Sequence, residues 1–555
     1  MQDLLNLISL ILMVGFRSFD IEDKGKHPLT SKYLKPEKKE EALVLTRIRL
    51  FDLLIIFFIF DIGLFFISCD SEVNVQNSWT IMVYGDGDNN LEYCLLKDIE
   101  EMKQGYNNNQ GMSLIVLVDR IPGESSNKSI LGSNFTDTQL YRITHNKATR
   151  LNGMEEFPEI TKESKFEANM GDANTLKKFI KYCKKNYTAD HYALILWNHG
   201  GGIRSIDDSS IDDRISKAVC WDTSNNNDSL YTAEINDVLT EEESVDLLGF
   251  DACLMGAVEV AYQYRPGNGG FYANAMVASP PLEWGDGWKY DDILKRIKAS
   301  GRDNKEIDTV MGGGESNELY YDPATMTALQ LGGIIVEEQY DSTSNSVRYE
   351  PTQALSCYDL TRVEEVKIAV DNLSIRLYFE DEKEDFENIR WDWTNNNGTM
   401  NYFEAVERNR WWIVCPGFDL YDLFERTANS SNFSSTIQDL SSAVMSAVDE
   451  MVVYSYGGSS YSEFKNGKNG IYIFFTDGDT LSSSSYRIWR YQWWYNAIDT
   501  ATEYSSGNYY GKIKWCIDGA IQDNRQVENW FELLDVWFDD PAMRNGESWN
   551  SYNYV

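Results

Sequence analysis

The chain has 555 residues, of which 43% are hydrophobic and 25% are charged, a composition typical of globular proteins rather than of disordered or collagen-like ones. Its formal net charge is −37, from 50 basic and 87 acidic side chains. Because contact with nucleic-acid phosphates needs a basic surface, this charge balance excludes nucleic acid as an expected partner.

The first 69 residues contain two short apolar stretches, at 4–14 and 53–67. Neither reaches the roughly 20 apolar residues that a membrane-spanning helix needs. The second has the form of a signal-peptide core, and it runs into Phe66-Ile67-Ser68-Cys69, which resembles a bacterial lipobox. We therefore expect an exported protein that a lipid on Cys69 anchors to the bacterial cell envelope. A plain secretory signal and a chain that is not exported are the alternatives.

After residue 70, apolar runs alternate with segments of helical periodicity. The runs that predict buried strands lie at 79–84, 114–118, 193–197, 245–250 and 271–278. The segments that predict helices lie between them and after them, at 91–102, 173–185, 234–239, 254–264 and 290–297. Strands that alternate with helices predict an α/β fold, in which helices cover both faces of a mostly parallel sheet.

The rest of the chain has a weaker pattern. Residues 121–170 are polar and predict a surface excursion, and residues 312–350, 427–437 and 455–463 are rich in small or polar residues and predict loops. Leu360–Leu377 predicts an amphipathic helix, and 469–476 predicts a late strand.

Two motifs directly follow neighbouring predicted strands. Strand 193–197 runs into Asn198-His199-Gly200-Gly201-Gly202, and strand 245–250 runs into Asp251-Ala252-Cys253. Open α/β sheets place their active sites at the carboxyl ends of the strands, so we expect the histidine and the cysteine to meet there. A histidine beside a thiol is the arrangement for nucleophilic thiol catalysis.

The backbone around the cysteine adds two expectations. We expect Cys253 to open the helix that follows it, so that the positive field of the helix N-terminus lowers the pKa of its thiol. The N–H groups of Gly200 and Cys253 are expected to form an oxyanion hole.

Both motifs have other interpretations when taken alone. A cysteine at a strand end is often a small buried hydrophobic residue. The His-Gly-Gly-Gly pattern also occurs in the oxyanion loop of serine lipases, but the chain has no G-x-S-x-G nucleophile motif. Cys253 follows His199 by 54 residues, close to the spacing of about 50 that caspases show between the same two residue types.

The sequence predicts no metal site. It contains neither a C-x-x-C pair nor an H-E-x-x-H motif, so zinc ligands are not indicated. Residues 86–90 resemble the start of a calcium loop, but Leu91 and Lys97 stand where an EF-hand needs glycine and glutamate. We interpret this stretch as a strand-to-helix turn.

The motifs together resemble the clostripain family of cysteine peptidases, relatives of the caspases and gingipains. The matching segments include WTIMVYGDGDNNLE at 79–92, LILWNHGGG at 194–202 and GFDACLMGAVEVA at 249–261. The resemblance implies a caspase-like fold with His199 as general acid and base and Cys253 as nucleophile. Some members of this family depend on calcium, so calcium is the cofactor that the resemblance leaves open.

The resemblance also implies how the chain is organised and where it would be cut. We expect a presequence at 1–69, a caspase-like catalytic core at 70–300 and a C-terminal half at 301–555 that completes the fold and adds an accessory subdomain. Family members often cut themselves between the histidine and cysteine strands. Arg214 and Lys217 lie in that connection and are the expected autocleavage sites.

Cleavage after basic residues is the specificity that the resemblance implies. Asp251, two residues before the cysteine, matches the position that lines the S1 pocket of the family, where a carboxylate pairs with an arginine or lysine side chain. Glu283 and Asp286 are the candidates for a second acid. The alternative for Asp251 is a helix N-cap.

The expected function is therefore an exported cysteine endopeptidase that cleaves proteins or peptides after arginine or lysine and activates itself. A second class of function is open. An acidic, exported chain with 16 tryptophans and 33 tyrosines also suits a surface lipoprotein that binds carbohydrate, or hydrolyses it with paired carboxylates. Such a protein would need neither the histidine nor the cysteine motif.

Overall fold

The computed structural model describes residues 77–107, 111–163, 165–203, 219–298, 321–343, 350–392, 397–402, 417–475, 513–519 and 527–538. Its strands are β1 (Asn77–Gly87), β2 (Met112–Arg120), β3 (Gln139–Thr144), β4 (Lys147–Arg150), β5 (Ala189–Trp197), β6 (Val219–Asp222), β7 (Asp228–Leu230), β8 (Val245–Asp251), β9 (Ala273–Ala278), β10 (Ala354–Asp359), β11 (Trp391–Asp392), β12 (Asn397–Gly398), β13 (Gly417–Asp419), β14 (Val452–Gly457) and β15 (Tyr472–Phe474).

Nine of these strands form one sheet, in the order β14-β10-β9-β8-β5-β1-β2-β3-β4. The five strands in its middle, from β9 to β2, are parallel to one another. Antiparallel strands extend the sheet at both edges, β10 and β14 on one side and β3 and β4 on the other. The predicted mostly parallel sheet is confirmed.

Helices cover both faces of this sheet. They are α1 (Glu92–Gly105), α2 (Ala173–Asn186), α3 (Thr232–Val238), α4 (Val258–Gln263), α5 (Tyr290–Lys295), α6 (Ala328–Thr343), α7 (Val363–Phe379), α8 (Lys383–Arg390), α9 (Leu420–Asn429), α10 (Ser435–Met451), α11 (Lys514–Ile517) and α12 (Trp530–Phe538). In the described part of the chain, α1, α5 and α6 pack on one face, and the other helices contribute to the core on the opposite face.

Strand β1 shows why the strands of the parallel core are continuous apolar runs in the sequence. Met82 and Tyr84 belong to the core on one face, whereas Ile81 and Val83 belong to the core on the other. Successive side chains of a strand point to opposite faces, so a strand covered on both sides must be apolar at every position.

Three loop predictions are wrong in part. Residues 139–150 form the edge hairpin of β3 and β4 within the stretch expected to be irregular. Helix α6 lies within the predicted loop at 312–350, and α9 and α10 occupy most of 427–437. No helix in the described ranges is both long enough and apolar enough to cross a bilayer. The division of the chain at residue 300 stays a prediction.

Candidate active site

The pairing of β5 with β8 brings the histidine and cysteine motifs side by side. The two strands are parallel, and their register places Trp197 opposite Asp251. His199 and Cys253 each follow two residues after this pair, so both leave the sheet at the carboxyl ends of adjacent strands. This is the edge at which open α/β sheets build their active sites.

The two side chains line the same cavity, whose volume is about 290 Å³. Its walls also include Leu91, Asp251, Glu283 and Trp284. The cavity therefore combines a thiol, an imidazole and carboxyl groups within an enclosure large enough for one amino-acid side chain.

The Cys253 thiol is held by the backbone of the segment opposite. Its Sγ donates to the Glu283 carbonyl oxygen at 3.4 Å and accepts from the Glu283 N–H at 3.2 Å. Burial raises the pKa of Cys253 to about 12. The thiol is therefore protonated at neutral pH, and a base must remove its proton when it reacts.

The expectation of a lowered thiol pKa at a helix N-terminus is wrong for a structural reason. Helix α4 begins at Val258, five residues after Cys253, and it is six residues long. The cysteine instead lies in the turn that leaves β8. The field of a helix terminus falls off within one turn, so α4 does not offset the burial of the sulfur.

Backbone N–H groups surround the sulfur. Hydrogen bonds from these N–H groups, which belong to Glu283, Gly200 and Cys253 itself, lower the pKa of Cys253. Burial raises this pKa by more than they lower it. Gly200 packs so closely on the cysteine that a Cβ at this position would clash with the Cys253 carbonyl oxygen. A glycine at 200 therefore allows its N–H to approach the place where an oxyanion would form, as the oxyanion-hole prediction requires.

Asn90, which the sequence analysis did not single out, orients His199. The His199 Nε2 lies 2.8 Å from the Asn90 Oδ1, an oxygen that only accepts hydrogen bonds. Nε2 therefore carries the proton, and Nδ1 is left as the basic nitrogen. The Trp221 ring packs beside the imidazole with 5.8 Å between ring centroids.

This contact predicts the effect of changing Asn90. In Asn90→Asp, a carboxylate would accept the same hydrogen bond and stabilise the imidazolium, so the pKa of His199 should rise. We expect the acid limb of the pH profile of kcat/KM to move to higher pH, whereas Asn90→Ala should lower kcat without that displacement. Identical pH profiles for the two variants would contradict the positioning role of Asn90.

Asp251 is buried and lines the cavity. Its Oδ2 accepts hydrogen bonds from the Tyr290 hydroxyl at 2.8 Å and from the Trp288 N–H at 3.2 Å. Burial raises the pKa of Asp251 to about 7. Its side chain makes no N-cap, because β8 ends at this residue and the nearest helix begins at Val258.

The two candidates for a second acid are in different places. Glu283 lines the cavity, where its Oε1 accepts from the Trp288 Nε1 at 2.8 Å, and its buried Oε2 has no hydrogen-bond partner among the described residues. Asp286 is half exposed and forms an ion pair with Lys97 at 3.4 Å. Glu283 is therefore placed to contact a substrate in the cavity, and Asp286 is not among the residues that line it.

A third acid, Asp98 of α1, was missed. Its buried Oδ2 accepts from the Trp197 Nε1 at 2.7 Å, and it lies beside Gly287, where a Cβ would clash with it. The same Cβ would lie 3.3 Å from the Asp251 Oδ2, so the two carboxyl groups flank this glycine. A signal was present in the sequence, because Asp98 stands at an apolar position of the helical pattern.

The three acids share one electrostatic property. Among the described residues, no lysine or arginine forms an ion pair with Asp98, Asp251 or Glu283. Burial raises the pKa of each carboxyl group. Repulsion by Asp251 adds to this for Asp98 and Glu283, and repulsion by Glu101 adds to it for Asp251. This group of carboxyl groups therefore favours a cationic group from outside the chain.

Three predicted positions lie outside the described residues: Cys69, Arg214 and Lys217. The two basic residues belong to the segment 204–218, which connects the described residues Ile203 and Val219. Val219 forms a β-bridge with Gly200. Both ends of the expected autocleavage segment therefore lie next to the turn that carries His199.

Known proteins match this chain over most of its length. The sequence model of the clostripain family matches residues 83–537. Clostripain from Hathewaya histolytica is 51% identical over 483 residues, which cover 85% of this chain and 89% of that protein.

Two solved structures resemble the chain at lower similarity. An inactive protease zymogen from Parabacteroides distasonis has a TM-score of 0.46 at 15% identity, over 72% of this chain and 93% of the other. A secreted cysteine protease from Bacteroides thetaiotaomicron, in complex with an irreversible peptide inhibitor, has a TM-score of 0.45 at 17% identity, over 75% of this chain and 97% of the other.

Proposed function

The chain belongs to the clostripain family of cysteine peptidases, and on that premise we propose that it cleaves peptide bonds after arginine or lysine residues. The proposal assigns Cys253 as the nucleophile and His199 as the general acid and base. The observation that carries it is the cavity itself, whose walls hold a thiol and carboxyl groups that pair with no lysine or arginine of the described part of the chain. Membership of this family favours the peptidase over the carbohydrate-binding alternative.

The proposed reaction begins with a neutral thiol. His199 takes the proton from Cys253 through Nδ1 as the sulfur attacks the scissile carbonyl carbon. The N–H groups of Gly200 and Cys253 stabilise the oxyanion of the tetrahedral intermediate. His199 then gives its proton to the leaving amine, and a thioester remains on Cys253. Water, deprotonated by His199, hydrolyses the thioester and restores the thiol.

The proposed specificity follows from charge and burial. An arginine or lysine side chain that enters the cavity would meet Asp251 and Glu283 in its walls, with Asp98 behind them. Charge-assisted hydrogen bonds to a buried carboxylate are about twice as strong as those between neutral groups. A neutral or acidic side chain would leave these carboxyl groups unpaired.

A panel of fluorogenic peptides tests this function. The peptides differ only at P1, which is arginine, lysine, citrulline, leucine or aspartate. We expect turnover of the arginyl and lysyl peptides and loss of activity after treatment with iodoacetamide. Preferred cleavage of the leucyl or aspartyl peptide would contradict the assignment of the cavity, and activity that survives thiol alkylation would contradict the nucleophile.

Self-cleavage is part of the proposal and predicts a simple pattern. An enzyme that selects basic residues should cut its own segment 204–218 at Arg214 or Lys217, since both ends of this segment lie beside the active site. Wild type should run as two fragments on a denaturing gel, with a new N-terminus at Ile215 or Ala218. Cys253→Ala should run as a single chain.

A variant distinguishes self-cleavage from contamination by another protease. Arg214→Gln with Lys217→Gln should remain a single chain while Cys253 is intact. Adding active wild type to Cys253→Ala should then show whether one molecule can cut another. A fully active wild type that stays uncut would show that activation does not need this cleavage.

We also propose export and lipid attachment at Cys69, which rests on the lipobox-like segment that ends in this residue. Cells that express the full chain with labelled palmitate should incorporate label into wild type and not into Cys69→Ser. Unlabelled wild-type protein in the culture medium would instead favour a plain secretory signal.

A further inference from the structure

A tyrosine from the C-terminal part of the chain lies against both turns of the candidate active site. Tyr472 begins β15 and is 2% exposed. Its hydroxyl donates to the Leu254 carbonyl oxygen at 2.7 Å, in the turn that carries Cys253. A Cβ at Gly202, in the turn that follows His199, would clash with the same hydroxyl. One side chain, 218 residues after Leu254, therefore packs against both turns.

Leu254 has an unusual backbone conformation. Its φ is +65°, in the left-handed region that leucine rarely adopts. In this region the Cβ comes too close to a carbonyl oxygen, which costs free energy. Such a conformation persists only when the surrounding structure determines it, and it is found most often at functional sites. The contacts around Leu254 must therefore hold it in place.

Hydrogen bonds on two sides hold this turn. On one side, the Leu254 N–H donates to the Pro281 carbonyl oxygen at 2.9 Å. The Gly256 N–H donates to the Ser279 carbonyl oxygen at the same distance. On the other side, Tyr472 binds the Leu254 carbonyl oxygen through its hydroxyl and the Gly256 carbonyl oxygen, at 3.0 Å, through its N–H. Of these four bonds, only the one from the hydroxyl depends on a side chain.

The conformation of Leu254 fixes the peptide groups on either side of it. The N–H groups of Gly200 and Cys253 form the proposed oxyanion hole, and the two residues are packed so closely that a Cβ at Gly200 would clash with the Cys253 backbone. Rotation of Leu254 to a negative φ would turn either its own carbonyl group away from Tyr472 or the Cys253 peptide away from Gly200. The alignment of the two N–H groups therefore depends on the left-handed residue that follows them.

We propose that Tyr472 is a positioning residue for the peptidase reaction, and that it aligns the oxyanion hole by holding the Leu254 carbonyl oxygen. This inference rests on the function proposed above. Tyr472 is not among the described residues that line the cavity, so it acts through the turn and not on the substrate. Because an oxyanion forms only as the bond is cleaved, loss of this alignment should lower kcat and leave KM unchanged.

Two tyrosine variants test this role with the arginyl peptide, in protein whose segment 204–218 is in the same state of cleavage. Tyr472→Phe keeps the ring in the core and removes only the hydroxyl, so we expect kcat to fall about tenfold or more at constant KM. Tyr106→Phe is the matched control. It removes a buried hydroxyl that donates to the Met112 carbonyl oxygen at 2.6 Å, at the opposite edge of the sheet, and should keep the wild-type kcat. A wild-type kcat in Tyr472→Phe, or a change in KM alone, would overturn the proposal.

Substitutions of Leu254 distinguish positioning from a general loss of stability. Leu254→Gly and Leu254→Ala, each combined with Tyr472→Phe, remove nearly the same apolar side chain. Glycine adopts a positive φ without steric cost, whereas alanine does not. We expect the combination with glycine to have about tenfold higher kcat than the combination with alanine. Equal kcat values in the two combinations would show that the backbone conformation at 254 is not what Tyr472 maintains.

Gly202→Ala gives a test that leaves Tyr472 in place. Its methyl group would clash with the tyrosine hydroxyl and the Leu254 carbonyl oxygen, so kcat should fall by a similar factor. A folded Gly202→Ala with the wild-type kcat would overturn the proposal even if Tyr472→Phe does not fold. Cys253→Ala separates this inference from the proposed function. If that variant still cleaves, the proposed function fails; if it is inactive and Tyr472→Phe is fully active, only the role of Tyr472 fails.

Discussion

Replacing Cys253 by alanine is expected to reduce hydrolysis of an arginyl peptide to less than about one part in 10⁴ of the wild-type rate. Without the sulfur, no thioester can form in the cavity. His199→Ala should have an effect of similar order, because burial raises the pKa of Cys253 to about 12 and the thiol needs a base. The double variant should lose little more than either single one, since the two residues act as a unit.

Cys94 offers a matched control for this experiment. It is a free, half-buried cysteine close to the cavity, and a Cβ at Gly285 would lie 3.8 Å from its sulfur. Cys94→Ala removes a neighbouring thiol without touching the proposed catalytic pair, so its kcat/KM should equal that of wild type. Wild-type turnover in Cys253→Ala, or inactivity of Cys94→Ala, would contradict the assignment.

The parallel core could be predicted because burial on both faces leaves a strong mark on the sequence. The predicted strand at 193–197 is the apolar end of β5, and the run at 245–250 covers β8 except for Asp251. Since His199 and Cys253 directly follow these runs, sequence alone placed both at the same edge of the sheet. That the two residues share a cavity could be predicted from the adjacency of the two strands alone.

Helix α6 was missed because it lies in a stretch, 312–350, that is rich in glycine, serine and threonine. Gly332 and Gly333 lie inside it, and glycine normally weakens a helix. The structure gives a reason for the first of them, since a Cβ at Gly332 would clash with the Cys357 sulfur of β10. Close packing on the sheet therefore selects a residue that local propensity disfavours, which no local pattern reveals.

The acids around the site are a clearer example of positions that a local sequence pattern cannot predict. Asp251 could be named because it adjoins the cysteine motif, whereas Asp98 enters the same region from α1, more than a hundred residues earlier. Four other acids that lie close together, Asp88, Asp119, Glu167 and Asp222, have no common spacing in the sequence. Only the three-dimensional path of the chain brings such residues together.

Asp251→Asn is the change that should alter specificity most. Removing one partner of a buried charged pair costs about 3–5 kcal/mol, so kcat/KM for the arginyl peptide should fall by at least about 100-fold. The asparagine can still accept from Tyr290 and Trp288, which preserves the local hydrogen bonds of this position. The citrulline peptide, similar in shape to arginine but neutral, should lose far less.

Asp286→Asn is the matched control, because it removes a carboxylate that is near in sequence but pairs with Lys97 outside the cavity. Its ratio of arginyl to citrulline cleavage should stay at the wild-type value. Equal losses on both peptides in Asp251→Asn would instead indicate damage to the turn that carries Cys253.

The pH dependence gives an independent check on Asp251. Burial raises the pKa of Asp251 to about 7, so its carboxyl group is neutral below that pH and charged above it. Only the charged form attracts a guanidinium, so the ratio of arginyl to citrulline cleavage should rise as the pH increases through about 7. Taking the ratio cancels any pH dependence that the two peptides share. In Asp251→Asn, the part of this rise that depends on Asp251 should disappear. Any rise that remains would come from ionisation of Glu283 and Asp98. An unchanged rise would indicate that these two acids, and not Asp251, recognise the basic residue.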